Sequence, residues 1–199
     1  RQTDATGRAV NITTDVVNNR QTIRDRRGNT TIYDFDSRGN VTQVTDAKGG
    51  VTKYAYDAQD NEIEVIDPLG RKTTRTYDAH GNVTSETDPL GRTITTVYNA
   101  TGEATSIQDE NGRKTTNVFN GTGDLTSITD HSGAATTLGY SPATGSLLSI
   151  KDAMGQQTTY TYAKINGTTL KQTETAPDGE LTTYGYDGTG RVTSTARNM

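Results

Sequence analysis

The 199-residue chain contains no cysteine, no tryptophan and only two histidines. A disulfide scaffold is therefore excluded, and so is any thiolate chemistry. His80 and His131 both fall at turn positions with no second histidine near either, so the usual means of building a zinc site or a Ser/His or Cys/His pair are missing. The reading is a non-catalytic chain that needs no cofactor and no metal. No apolar run approaches the ~18 residues of a membrane-spanning helix, and Arg1 is not followed by a charged, apolar, small-residue leader pattern. Formal net charge is only -4, with acids and bases interleaved, which leaves no basic stripe for nucleic acid and no polybasic membrane patch.

Apolar residues are also scarce. Counted with glycine they make up about 35% of the chain, against about 45–50% in globular domains, so a thick core is out of reach. Disorder is the obvious alternative, but disordered chains are poor in aromatic and β-branched residues and carry high net charge. Here Thr, Val, Ile and Tyr are placed with regularity.

That regularity is a period of 21 residues. Asp4, Asp25, Asp46, Asp67, Asp88, Asp109 and Asp130 each open an Asp-x-x-Gly closed by Gly7, Gly28, Gly49, Gly70, Gly91, Gly112 or Gly133, and Asp152 with Gly155 continues the series after a one-residue slip. A strict period means a repeat architecture. An Asp side chain accepts from backbone N–H groups further along a turn, and a closing Gly takes left-handed φ; Asp67-Pro68-Leu69-Gly70 and Asp88-Pro89-Leu90-Gly91 add Pro where a turn favours it.

All twelve aromatics fall into two columns. Phe35, Tyr56, Tyr77, Tyr98, Phe119, Tyr140, Tyr162 and Tyr186 form one, and Tyr33, Tyr54, Tyr160 and Tyr184 each lie two residues earlier, on the same face of a strand. The main column is followed by a second turn, as in Tyr77-Asp78-Ala79-His80-Gly81. Tight reversals about every ten residues predict antiparallel strands of about six residues and argue against the rival β-solenoid, whose parallel coils need corners. Helices are disfavoured because no 3.6-residue apolar stripe exists. The predicted fold is all-β: an array of antiparallel hairpins, about eight to nine repeats over residues 1–199, forming one long curved or spiralling sheet. A sheet of about sixteen strands is expected to curl.

The strand after the column turn carries apolar residues at two sites three apart, as at Val41 and Val44 or Leu125 and Ile128. Strict alternation sends these to opposite faces, so either both faces are partly covered or a bulge resets the register. Thr31, Thr52, Thr73, Thr115, Thr136, Thr158 and Thr182 form a further column. Irregularities are expected near residues 141–145 and 163–178, with Lys164 to Gly167 and Thr175 to Pro177 as protruding loops. In the first repeat, Asp15-Val16-Val17-Asn18 puts Asn in place of the closing Gly.

Each sharp reading has a plainer one beside it. The tyrosines form either a sugar-stacking platform or the packed inner face of the sheet, and packing is favoured because burying aromatics is a large contribution to any thin fold. Turn aspartates could bind Ca²⁺, yet one carboxylate per turn falls short of six to eight oxygens, which leaves capping. Asn40-Val41-Thr42 and Asn82-Val83-Thr84 are glycosylation sequons only in a eukaryotic secreted protein. Arg71, Arg92, Arg113 and Arg191 follow turn glycines and read as solvated strand ends.

With Tyr77-Asp78-x-x-Gly81-Asn82-Val83-Thr84 and Tyr186-Asp187-x-x-Gly190-Arg191-Val192-Thr193, the chain resembles the YD-repeat or Rhs family along essentially its whole length. That family includes bacterial Rhs and polymorphic toxins, the C components of Tc toxins, bacterial wall-associated proteins and animal teneurins. The resemblance implies an exported or cell-surface bacterial protein in which the repeats form the wall of a hollow β-shell around a toxin or other polypeptide. Its partners would be the rest of its own polypeptide, further repeats and an enclosed toxin domain. A cell-surface adhesion or carbohydrate-binding stalk, with exposed tyrosines meeting a glycan or protein, is the alternative.

Overall fold

The computed structural model describes residues 2–3 and 9–198, so the turn expected at Asp4 and Gly7 lies outside the described residues. It consists of two compact units, residues 1–96 and 97–199. The first holds β1 (Gln2–Thr3), β2 (Ala9–Asp15), β3 (Arg20–Arg24), β4 (Thr30–Phe35), β5 (Val41–Thr45), β6 (Val51–Tyr56), β7 (Glu62–Ile66), β8 (Lys72–Tyr77), β9 (Val83–Thr87) and the start of β10 (Thr93–Tyr98). The second holds β11 (Ala104–Gln108), β12 (Lys114–Phe119), β13 (Leu125–Thr129), β14 (Ala135–Tyr140), β15 (Leu147–Lys151), β16 (Gln157–Ile165), β17 (Thr168–Thr175), β18 (Leu181–Tyr186) and β19 (Val192–Asn198). Within each unit every strand pairs antiparallel with the next. The fold is an all-β hairpin repeat array, with no helix among the described residues and hence none long and apolar enough to cross a membrane.

One turn design serves most of the reversals. At Asp67 the backbone carbonyl accepts from Gly70 N–H at 2.9 Å and the backbone N–H donates to Arg71 at 3.0 Å. The same side chain accepts from the N–H groups of Leu69 and Arg71, both at 2.9 Å. A single carboxylate thus satisfies two donors that the turn withdraws from the strand ladder. Gly70 closes the turn at φ 78°, a region costly for a residue with a Cβ. The expected turns at Asp25, Asp46, Asp88, Asp109, Asp130 and Asp152 repeat these bonds to Gly28, Gly49, Gly91, Gly112, Gly133 and Gly155, and the turns after the aromatic column do likewise at Asp36, Asp78 and Asp187.

The question of the two apolar sites is answered by a bulge. Tyr77 lies opposite Val83 but Thr76 lies opposite Ser85, leaving Thr84 as an extra residue. The same shift occurs at Phe35, Tyr56, Phe119, Tyr140, Tyr162 and Tyr186. A bulge disrupts the local ladder, and the extra residue is often a threonine whose hydroxyl repairs it. Thr42 and Thr126 donate to the carbonyls of Asp34 and Val118 at 3.2 and 3.1 Å.

Each unit is, among the described residues, a single layer of paired strands. Among the described residues no side chain is buried, and the strands are at best half-buried. The expected insertion at 163–178 is not a pair of loops. Lys164 and Ile165 pair with Thr169 and Thr168 as a two-residue Asn166-Gly167 turn lengthens the hairpin, both residues having positive φ as a tight hairpin turn requires. Thr175 ends β17, and Ala176 and Pro177 belong to an ordinary turn closed by Gly179 N–H on the Ala176 carbonyl at 3.0 Å. In the first repeat the left-handed residue is Asn19, at φ 48°, not Asn18. Asn18 instead donates its side-chain amide to Asp15 at 2.7 Å.

Candidate functional site

Residues directly opposite in paired strands share a face, so the register assigns each column. Tyr54 faces Val65, and Val65 faces Thr73; alternation then adds Arg75 and Tyr77, which lie opposite Glu86 and Val83. In the second unit Phe119 meets Leu125, Asn117 meets Ile128, and Ile128 meets Thr136. Both aromatic columns, both apolar sites and the threonine column therefore lie on one face. The bulge accomplishes this by shifting the second apolar site back to the side of the first.

The other face is hydroxyl-rich. Thr76 pairs its hydroxyl with Ser85 at 2.7 Å, Thr87 with Thr93 at 2.8 Å and Thr161 with Thr173 at 2.6 Å.

On the aromatic face, all of Phe35, Tyr56, Tyr77, Tyr98, Phe119, Tyr140, Tyr162 and Tyr186 are half-buried. None of these rings is fully buried. The pKa values of Tyr56 and Tyr160 are raised, first by burial. The hydroxyls of Tyr77 and Tyr186 donate to carbonyls of the preceding strand, those of Glu62 and Lys171, both at 2.6 Å.

Two charged groupings interrupt this face, and sequence reasoning missed both. Arg75 occupies the second aromatic column and bridges Glu62, at a first apolar site, to Glu86, at a second; its Nε lies 2.7 Å from Glu86. In the other unit Lys171 and Glu174 replace an apolar pair. Lys171 Nζ lies 2.8 Å from Glu174 and 4.3 Å from the Tyr184 ring centroid, and Tyr184 donates to Glu174 at 3.1 Å. Lys171 is held well above its ordinary pKa, chiefly by the Glu174 hydrogen bond. The available signal was simple: a charge standing where the period places an apolar residue.

Turn carboxylates are committed to their own backbones. Asp78 accepts from the N–H groups of His80 and Asn82 on one oxygen and from the Asn82 amide on the other, at 2.8–3.0 Å. Its pKa is lowered, first by the Asn82 side chain and then by that residue's N–H. Asn40 and Asn82, the sequon residues, spend their side-chain amides on Asp36 and Asp78 in this manner. Arg71 and Arg92 turn back onto Asp67 and Asp88. His80 is exposed at the rim of an open cleft of about 500 Å³ lined by Asp57, Gln59, Asn61, Tyr77 and Asp78.

Against known proteins, the RHS repeat family model matches residues 4–51, 35–72 and 56–93. No curated protein matches the chain. Among solved structures, the crystal structure of TcdB2-TccC3-Cdc42 superposes with a TM-score of 0.66 at 16% identity, over 85% of this chain and 11% of that one. The TcdB2-TccC3 crystal structure gives 0.64 at 16% identity over the same shares, 85% and 11%. A Tc holotoxin pore from Photorhabdus luminescens, carrying a TccC3 mutation, gives 0.57 at 14% identity over 99% of this chain and 14% of that one. The chain thus spans only a small part of each neighbour, and at these identities the likeness concerns the fold.

Proposed function

Since the chain belongs to the RHS, or YD, repeat family, with matched repeats over residues 4–93 and the same turn-and-strand unit continuing through β19, we propose that it is a non-catalytic wall segment. In this reading it forms part of a β-shell that encloses or shields a polypeptide in an exported bacterial protein. One observation carries the reading: each unit gathers its aromatic columns and most of its strand aliphatics on a single face, with Ile32, Val51, Ile66 and Val118 on the other, and among the described residues nothing covers that face. A layer of this kind gains its missing contacts only from something lying against it. Natural twist would curl a longer array toward one face, and further repeats of the same polypeptide would complete the wall. The non-catalytic reading is supported by the described residues: Arg75 is paired with Glu62 and Glu86, Lys171 with Glu174, and the turn aspartates cap backbone.

Half-exposed rings also suit a surface stalk that stacks sugars, so the test must separate inside from outside. A photo-crosslinking residue is placed at Leu125 or Leu138 on the aromatic face, or at Thr116 or Ser127 on the hydroxyl face, in the full-length protein from which the chain comes. Crosslinks from the aromatic face to other segments of the same polypeptide are expected. Aromatic-face probes that capture only glycan, or nothing, would refute the wall reading.

A further inference from the structure

Three Asn-Gly steps occur in the chain, at Asn111-Gly112, Asn120-Gly121 and Asn166-Gly167, and their surroundings differ. Asn-Gly is the dipeptide most open to intramolecular attack on the asparagine side chain, because glycine presents no Cβ to hinder its nitrogen. At Asn111 that nitrogen is engaged, since Gly112 N–H donates to the Asp109 carbonyl at 3.0 Å. At Asn120 the side chain is locked: Oδ1 accepts from Thr122 N–H, the Thr122 hydroxyl and Asp124 N–H at 2.7–2.9 Å, and Nδ2 donates to Asp124 at 3.0 Å. Reorienting it breaks four hydrogen bonds.

Asn166 is held by far less. It stands exposed at the tip of the longest hairpin, at φ 49°, and its side chain makes one hydrogen bond, from Nδ2 to the Gly188 carbonyl at 2.8 Å. Gly167, also exposed, has no acceptor for its N–H among the described residues. Hairpin tips open at little cost, because only the last ladder bonds must break.

We propose that Asn166 is a site of spontaneous deamidation and that its conversion detaches the β16–β17 tip from the neighbouring Asp187–Gly190 turn. Gly167 nitrogen attacks Asn166 Cγ, forming an N–C bond as the Cγ–Nδ2 bond breaks. Ammonia leaves carrying the former amide proton, and a five-membered succinimide remains. Water then opens the ring at either carbonyl, giving aspartate or isoaspartate; no oxidant or cofactor takes part. The product has lost the Nδ2 donor and sets a carboxylate near the Gly188 carbonyl, two acceptors with no proton between them, beside the acid Asp187. Isoaspartate further adds a methylene to the backbone of a two-residue turn whose geometry depends on consecutive positive φ angles.

The intact chain is aged in mildly alkaline buffer and its peptides are mapped by mass spectrometry with separation of the aspartate and isoaspartate forms. Conversion at Asn166 should outpace that at Asn111 and Asn120 several-fold; equal or faster conversion at either of those overturns the assignment. Asn166→Gln, which would need a six-membered ring, should suppress product in its peptide, and undiminished product there assigns the reaction to another residue. The detachment is read separately in Asn166→Asp by amide hydrogen exchange. Ile165, Thr168 and Gly190 should exchange several-fold faster while mid-strand amides of β18 keep their rates, and unchanged exchange at the tip refutes the release.

Discussion

Tyr77 and Glu62, fifteen residues apart, are joined by a hydrogen bond of 2.6 Å from the phenolic hydroxyl to the backbone carbonyl. Tyr186 and Lys171 repeat the contact at the same separation and distance. In both cases the carbonyl belongs to the strand residue beside the bulge, where the ladder is interrupted. The column tyrosine thus ties each hairpin to the one before it while its ring covers the aliphatic sites. Tyr77→Phe and Tyr186→Phe should each cost about 1 kcal/mol, seen as a lower urea midpoint with unchanged slope. Midpoints equal to the parent would show that the hydroxyls contribute nothing to hairpin coupling.

Phe119 has no hydroxyl to give, and the equivalent carbonyl, Ala104, is served by the Asn117 amide at 2.9 Å. An amide two residues earlier on the same face replaces the phenol. Asn117→Ala should therefore destabilise by about 1 kcal/mol, and adding Phe119→Tyr to it should restore most of the loss. Phe119→Tyr alone should do little, because the acceptor is already taken. Additive behaviour in this double-mutant cycle would refute the exchange of roles.

Arg75 is the joint between β7 and β9, neutralising Glu62 and Glu86 at once. Removing only the guanidinium leaves the half-buried Glu62 carboxylate and the exposed Glu86 carboxylate unpaired on the same face, so Arg75→Ala should lower stability by at least as much as a typical exposed ion pair, which is worth about 0–1 kcal/mol. Replacing the group with what the period places there, Glu62→Val with Arg75→Tyr and Glu86→Ile, should be neutral or stabilising, as for ion pairs exchanged for packed apolar residues. Chemical denaturation of both variants checks this; a triple variant weaker than Arg75→Ala would mean the charges are required by the packing around them.

Much of this architecture could be read from residue spacing. The aspartate-glycine period encodes its own turns, since side chain, backbone and left-handed glycine all act within five residues. The bulge was only half legible: Leu125 and Ile128, three apart, signal a broken alternation, but which residue is extra depends on the pairing of Phe119 with Leu125. The hairpin at 157–175 was misread because extra residues resemble a loop insertion, although Asn166-Gly167 is itself a strong hairpin signal. Contacts such as Lys171 with Tyr184 lie beyond one strand's sequence, because they follow from which strands become neighbours.

Acid should unfold the array through its turns. Asp25, Asp57 and Asp78 have lowered pKa values, each first through the side-chain amide of the asparagine four residues on, and Asp46, Asp67 and Asp109 first through a backbone N–H four residues on. A carboxylate with a depressed folded pKa contributes stability that is fully present above its unfolded value of about 3.9 and disappears as pH falls through the folded one. Stability should thus be flat from neutral pH down to about 5, then fall steeply below about 4. Asp67→Asn, which keeps the acceptor oxygen without the titration, should flatten that fall. Circular dichroism melts across this range test it, and a parent that keeps its full melting temperature in strong acid would show the carboxylate caps to be energetically silent.

The glycines that close the turns give the most local test. Gly70 and Gly91 sit at φ 78° and 79° with no heavy atom near an added Cβ, so a substitution there meets strain in the backbone and not crowding. Gly70→Val and Gly91→Val should each lose about 1–2 kcal/mol or more, and Gly70→Asn distinctly less, because asparagine tolerates the left-handed region. Asp60 shows how the array accommodates a non-glycine at such a position: at φ 66° it is held by Asn40 at 2.6 Å and by Arg38 at 2.9 Å, both from the turn after Phe35, one repeat earlier. Asp60→Gly removes the strain together with both contacts and should leave the melting temperature nearly unchanged. Asp60→Ala keeps the strain, loses the contacts and should fall well below the parent. If the two variants melt alike, left-handed strain is not what selects the closing residue.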